Sequence, residues 1–120
     1  MDMNVKDYAT LQTAVEKLCE MLTAQGLTQE NVFDCKLVAY ELLGNVLKHG
    51  GETGALRAEL KESFVEMRVV SDKVFDLPKQ ITCSGLLAES GRGLFLVNTI
   101  CEGQIHSDES GITVKIRIKK

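Results

Sequence analysis

Three polar side chains recur at intervals of four residues in a stretch that is otherwise almost wholly apolar. They are Glu41, Asn45 and His49, within "YELLGNVLKHGG". Because four residues make about one helical turn, a helix here would place all three near one side. A carboxylate at such a position can accept a proton, and an amide oxygen can bind a hard cation. The spacing therefore predicts a polar face able to do chemistry.

The polar face of this helix is narrow. At about 100° per residue, its polar positions fall within a wedge of roughly 100°; they are Asp34, Glu41, Asn45, Lys48 and His49. Apolar residues cover nearly all of the remaining circumference: Val32, Phe33, Leu37, Ala39, Leu42, Leu43, Val46 and Leu47. Such a helix is expected to be buried on most sides, so the wedge must face solvent or a lined cavity. An ordinary solvated face remains the alternative, although the mixture of acid, amide and imidazole favours a site.

A second polar element lies in "GRGL", residues 91–94, directly before an apolar helical pattern. Glycine lets the backbone approach a ligand closely, and the free N–H groups at a helix start attract anions. The element is suited to a phosphate group, and it is equally typical of a tight turn.

Three helices are predicted to carry or flank these residues. The first spans residues 10–25 and is ended by Gly26. The second begins after Thr28, a favourable N-cap, and runs to about Lys48. The third, in "GRGLFLVNTIC", ends at Gly103.

Four strands complete the prediction. "ALRAELK" and "FVEMRVVS" alternate as a hairpin with one wet face, "QIHS" and "ITVKIRI" form a second hairpin, and residues 72–90 read as a loop. The order is helix, helix, two strands, loop, helix, two strands. It predicts one α+β domain over residues 1–120, a two-layer sandwich with helices on one face of a mixed, mostly antiparallel sheet.

Composition excludes several classes of function. The net charge of -3 and pI near 5.4 lack the basic character of nucleic-acid binding proteins. No apolar run reaches membrane-helix length, and "MDMNVKDYAT" does not resemble a signal peptide, so we expect a cytoplasmic protein. The thiols of Cys19, Cys35, Cys83 and Cys101 are too widely spaced for a zinc site and are expected to be reduced, mostly in the core.

Taken together and in this order, these motifs resemble the GHKL (Bergerat-fold, histidine-kinase-like) ATPases, and within them the anti-sigma-factor serine/threonine kinases. "YELLGNVLKHG" is similar to that family's N-box, Glu-x-x-x-Asn-x-x-x-His. "RVVSDKVFDLP" occupies the place of its first glycine box, and "SGRGLFLV" is similar to its second. The resemblance covers nearly the whole chain and implies a histidine-kinase-like ATPase fold with ATP and Mg²⁺ as cofactors.

The resemblance also implies roles for individual residues. Asn45 would bind Mg²⁺ through its amide oxygen, Glu41 would act as general base, and Asp72 would accept a hydrogen bond from the adenine amino group. Lys48 and His49 would lie at the phosphate end, although both also fit as helix-end cations near the negative end of the helix dipole.

The phosphates, by the same resemblance, would be bound by the second glycine box. Its backbone donors are Gly91, Arg92, Gly93 and Leu94.

The implied function is that of an ATP-binding anti-sigma regulatory factor. It would phosphorylate a serine or threonine on an anti-anti-sigma (STAS-like) antagonist protein and bind a sigma factor, and it could form a homodimer. One departure supports an alternative. "DKVFDLP" runs from Asp72 to Phe75 through Lys73 and Val74 without the family's usual glycine. The alternative is a degenerate, nucleotide-free protein-binding module of the same fold.

Overall fold

The computed structural model describes residues 2–48, 54–71, 96–107 and 111–118. The elements described from end to end are β1 (Asp2–Val5), α1 (Tyr8–Ala24), α2 (Gln29–Lys48), β2 (Gly54–Leu60), β3 (Phe64–Ser71), β4 (Ile105–Ser107) and β5 (Gly111–Arg117). A further helix, α3, is described over residues 96–100.

The strands form one sheet in the order β1-β2-β3-β5-β4, and each of these neighbours pairs antiparallel. Helices α1 and α2 pack on each other and on the sheet, α1 against β1 and β2, and α2 against β2, β3 and β5. The predicted α+β sandwich, with helices on one face of the sheet, is confirmed.

The core lies between the sheet and the helices. Alternate residues of β3, Val65, Met67 and Val69, are at most 1% exposed, which confirms the predicted period of two. They meet fully buried helix residues such as Leu18 and Leu42. Because each buried side chain of this size contributes about 1.5–3 kcal/mol, this layer supplies most of the energy that holds the two helices on the sheet.

Side-chain caps set where the two long helices begin. Thr10 N donates to Asp7 Oδ1 over 2.8 Å, and Asp7 N donates to the Thr10 hydroxyl over 3.0 Å, forming a capping box for α1. These hydrogen bonds lower the pKa of Asp7. Gly26, with φ +88°, follows the helix as predicted. Thr28 Oγ1 accepts a hydrogen bond from Asn31 N over 3.2 Å, which confirms the predicted N-cap of α2.

Strand β1 was not predicted from the sequence. The first predicted element begins at residue 10, whereas Asp2–Val5 forms an edge strand paired with β2. Met3 and Val5 alternate toward the core, but a strand of four residues is too short for that alternation to be recognised. Its stability comes from a partner strand about 50 positions later.

Helix α2 also differs from expectation on one side. Phe33 was predicted to lie on the buried circumference, but it is 56% exposed, and Tyr40 is 36% exposed. With half-buried Leu37 they form an outward ridge at the spacing i, i+4, i+7. The prediction was wrong because apolar content shows which residues tolerate burial, whereas the position of α1 and the sheet decides which side is covered.

Candidate functional site

The polar face of α2 lies between the outward ridge and the buried stripe of the same helix. Glu41 and Asn45 are separated by about 6 Å along the axis and about 40° around it. Burial increases in that direction, since Glu41 is half-buried and Asn45 only 5% exposed. Asp34, two turns before Glu41, is also half-buried. The face is thus neither solvated surface nor closed core, which is the setting a ligand site requires.

Two asparagines of α2 are buried, and they differ in their partners. The Asn31 amide donates to the Arg117 carbonyl oxygen over 2.9 Å, tying the start of α2 to the end of β5. Among the described residues, the Asn45 amide makes no hydrogen bond, and no fully buried side-chain nitrogen or oxygen there lacks a partner, so the polar atoms of Asn45 are not fully enclosed. Asn45 is therefore the asparagine of α2 whose amide is open to a ligand. Its oxygen is a hard donor of the type that Mg²⁺ prefers.

The structural role of Asn31 was not predicted from the sequence. Its position three residues after the Thr28 N-cap is a signal of a capping role, and the Asn31 backbone N–H does donate to Thr28. The long-range bond to Arg117 leaves no signal in the local sequence.

Close packing places the end of α2 at one end of the sheet. A Cβ on Gly54, the first residue of β2, would lie 3.1 Å from Val46 Cγ1 and 3.0 Å from the Val70 carbonyl oxygen. The glycine therefore allows α2 to approach where β3 ends at Ser71. Asp72 follows Ser71 directly in the chain, so the strand end and the polar face of α2 belong to the same end of the sandwich.

Buried thiols place α3 on the side of α2 that carries Asp34. Burial, with a smaller contribution from the Asp34 carboxylate, raises the pKa of both Cys35 and Cys101 to about 12. Cys101, at the end of α3, is therefore near Asp34 and Cys35. Both thiols are free and buried, and Cys19 is free and half-buried, as predicted; Cys83 lies outside the described residues.

The remaining predicted site residues lie outside what the structure describes. Lys48 ends α2, and only its backbone is described. The others are His49, Asp72, Gly91, Arg92, Gly93 and Leu94, so their assignments stay predictions. Within the described ranges, His, Cys, Asp and Glu side chains form no group of three that could bind a metal ion. Nor is any helix found there that is long and apolar enough to cross a membrane.

Comparison with known proteins decides the family. A family model, described as a histidine kinase-like ATPase domain, matches residues 5–118. The chain belongs to this family. A search of curated proteins found no match.

Family membership indicates that the polar face of α2 belongs to an ATPase domain. The match spans almost all of the 120 residues, including α2, the sheet and α3. It confirms the resemblance at the level of the family and the fold. Glu41 and Asn45, predicted to be one turn apart on a helix, are so placed in the structure.

Proposed function

We propose that this domain binds Mg-ATP at the polar face of α2. The observation that carries the proposal is Asn45, which is only 5% exposed yet has an amide that makes no hydrogen bond to the described residues, one turn after Glu41 in a histidine kinase-like ATPase domain. Its oxygen would serve as a metal ligand, and the phosphates would complete the coordination sphere. The predicted adenine contact, Asp72, and the phosphate-binding residues 91–94 would supply the rest of the site.

We further propose that the domain transfers phosphate to a serine or threonine of a small STAS-like antagonist and binds a sigma factor in competition with it. ATP supplies the phosphoryl group. Glu41 would accept the hydroxyl proton as that oxygen bonds to the γ-phosphorus and the bond to ADP breaks. The half-burial of Glu41 supports this role, because a base must reach both the site and the incoming hydroxyl.

Titration calorimetry with Mg-ATP and with ATP in EDTA tests the metal contact. Asn45→Ala should weaken Mg-ATP binding by tenfold or more, about 1.4 kcal/mol, while metal-free ATP binding changes far less. The matched control is Asn31→Ala, a buried asparagine of the same helix with a structural partner. It should lower the free energy of unfolding by about 1–3 kcal/mol and leave the Mg²⁺ dependence intact. Equal weakening with and without metal would remove Asn45 from the metal site.

A nucleotide-free protein-binding module is the second candidate. The missing glycine between Asp72 and Phe75 favours it, since Lys73 and Val74 cannot adopt positive φ as easily. No detectable binding of Mg-ATP or Mg-ADP at millimolar concentration by the folded wild-type domain would establish this second function instead.

A further inference from the structure

Helix α3 ends at a position where glycine is usual and this chain has a glutamate. Gly103 N donates to the Asn98 carbonyl oxygen over 3.0 Å. Glu102 N donates to the Thr99 carbonyl oxygen over 3.3 Å. These two hydrogen bonds form a Schellman motif, which needs left-handed backbone at the position of Glu102. Its φ of +53° is a conformation that most side chains disfavour. The chain thus holds a carboxylate there at a cost in stability, and such costs are concentrated at functional sites.

This carboxylate lies on the wall of a cavity of about 470 Å³. The lining also includes Phe64, Gln104, Lys115 and Arg117, at the end of the sheet where β3 begins and β5 ends. A volume of this size is typical of small-molecule sites. The proposed nucleotide site lies at the other end of the sheet, where β3 and α2 end, so the cavity is a separate place for a ligand.

Opposite charges lie close together in this cavity. Arg117 Nη2 and Glu102 Oε2 are 3.6 Å apart, and their side chains are 73% and 56% exposed. So exposed a pair contributes little to stability, and a ligand can separate it at low cost. Lys115 lies two residues before Arg117, on the same face of β5, with its ammonium 5.1 Å from the centre of the Phe64 ring. The described lining therefore offers two cations and one carboxylate to a ligand.

Apolar surface adjoins these charges. Phe64 is half-buried and lies opposite Arg117 in the register of β3 and β5. Ile118, also half-buried, lines the same cavity, and its N–H donates to the Ser63 carbonyl oxygen over 3.0 Å. A ligand group that covers Phe64 and Ile118 removes apolar surface from water, which favours binding. The cavity thus suits a small molecule with both charges and a short apolar group.

We propose that this cavity binds a free α-amino acid with an apolar side chain. The ligand carboxylate replaces Glu102 as the partner of Arg117, because the guanidinium fork matches a carboxylate, and Lys115 lies beside it. The ligand ammonium pairs with Glu102, and the ligand side chain packs on Phe64. An α-amino acid carries both charges on one carbon atom, so both reach partners only 3.6 Å apart, whereas a peptide carries them at opposite ends.

The exposure of the charged groups predicts a weak complex that is sensitive to salt. Ion pairs in contact with water contribute little each, and they are screened over about 8 Å at physiological ionic strength. For a ligand of about ten non-hydrogen atoms, we expect a dissociation constant of roughly 0.1–1 mM. A site of this affinity responds to the concentration of a free metabolite.

NMR titration of the ¹⁵N-labelled full chain with L-leucine and with L-phenylalanine provides the test. Amide shifts should centre on residues 102–104 and 115–118 and approach saturation by about 10 mM. The N-acetyl derivatives lack the ammonium and the amide derivatives lack the carboxylate, so both should bind at least tenfold more weakly. Glycine, which lacks the apolar group, should also bind more weakly than leucine.

Three variants separate recognition from folding. Glu102→Gly removes the partner of the ligand ammonium but suits the left-handed position, so the Tm should be kept or raised while leucine binding weakens at least tenfold. Arg117→Gln should weaken leucine binding to the same extent. Its matched control is Arg57→Gln, which removes an exposed arginine of the same sheet, paired with Asp2 at 3.3 Å and outside the cavity lining. This control should bind leucine like wild type.

Four results would each overturn the proposal. The first is that neither amino acid binds the folded wild-type chain at about 20 mM, well above the expected dissociation constant. The second is that the amide shifts centre away from the cavity, and the third is that the N-acetyl or amide derivatives bind as tightly as the free amino acids. The last is that Glu102→Gly or Arg117→Gln, each folded, binds leucine as Arg57→Gln does.

Discussion

At the scale of single residues, the position of a side chain around α2 decides what it contacts, even between two residues of the same type. Asn31 and Asn45 are both buried, yet Asn31 donates to a backbone carbonyl of β5 and Asn45 has no partner among the described residues. Glu41 adjoins Asn45 but lies nearer the outer ridge and is only half-buried. This difference in burial supports the proposed metal role for the Asn45 amide and the proposed proton-accepting role for the more accessible Glu41 carboxylate.

The proposed role of Glu41 predicts a separation of binding from turnover. Glu41→Gln should abolish phosphoryl transfer and leave the dissociation constant for Mg-ATP within a few-fold, because the amide keeps the shape but cannot accept a proton. Calorimetry gives the affinity, and release of ADP in the presence of a STAS-domain protein gives the turnover. Parallel loss of both quantities would indicate that the carboxylate positions the nucleotide.

At the scale of elements, the described residues cover α2 on one side only. Its buried stripe includes Val38, Leu42 and Val46, whereas Phe33 and Tyr40 face outward. An exposed aromatic side chain contributes little to folding, because most of its surface stays in water in the native state.

A pair of substitutions measures this asymmetry. Leu42→Ala should lower the free energy of unfolding by about 2–5 kcal/mol, as expected for a fully buried leucine. Phe33→Ala should lower it by less than about 1 kcal/mol, although it removes more atoms. Urea denaturation at neutral pH measures both values. A large loss for Phe33→Ala would show that another part of the chain packs on the ridge.

The contact between α2 and the end of α3 should make stability sensitive to alkaline pH. Burial raises the pKa of Cys35 and Cys101 from 9.0 to about 12, so the folded state retains protons that the unfolded state loses. This contribution is complete below pH 9 and is lost as the pH rises from about 9 to about 12. Cys35→Ala should therefore flatten the decline in unfolding free energy between pH 8 and pH 10.5.

The control for this effect is Val38→Ala, which removes a buried side chain of the same helix but no titrating group. It should lower stability by a similar amount at both pH values and keep the wild-type slope. Identical slopes for wild type and Cys35→Ala would assign the alkaline loss to other groups.

At the scale of the whole molecule, one family model spans residues 5–118, and the described elements form one sheet with helices on one face. The proposed nucleotide site lies in the helical layer, on α2, which packs against α1, β2, β3 and β5. A ligand bound there should therefore stabilise the whole fold.

Ligand linkage predicts the size of that stabilisation. Mg-ATP at 100 times its dissociation constant should add about 2.7 kcal/mol, which raises the Tm of a domain this size by roughly 10 °C. Scanning fluorimetry over a Mg-ATP series measures the shift, and Asn45→Ala should need a much higher concentration for the same shift. An unchanged Tm at saturating nucleotide would contradict the proposed function.

The sequence by itself determined the features that depend on nearby residues. The N-cap at Thr28, the stop at Gly26, the alternation of β3 and the one-turn spacing of Glu41 and Asn45 were all predicted, because caps and periodicities are set within a few positions. The roles of residues such as His49, Asp72 and 91–94 remain predictions from resemblance. They lie outside the described part of the chain.

Only the tertiary structure decided what depends on distant partners. Strand β1 exists because β2 pairs with it, and Asn31 is a structural anchor because Arg117, 86 positions away, accepts its hydrogen bond. Phe33 is exposed because the sheet and α1 cover the other side of α2. The registers that oppose arginine to arginine and glutamate to glutamate likewise appear only when β2 and β3 pair. Local periodicity shows what a side chain can do, whereas long-range packing decides which surface it meets.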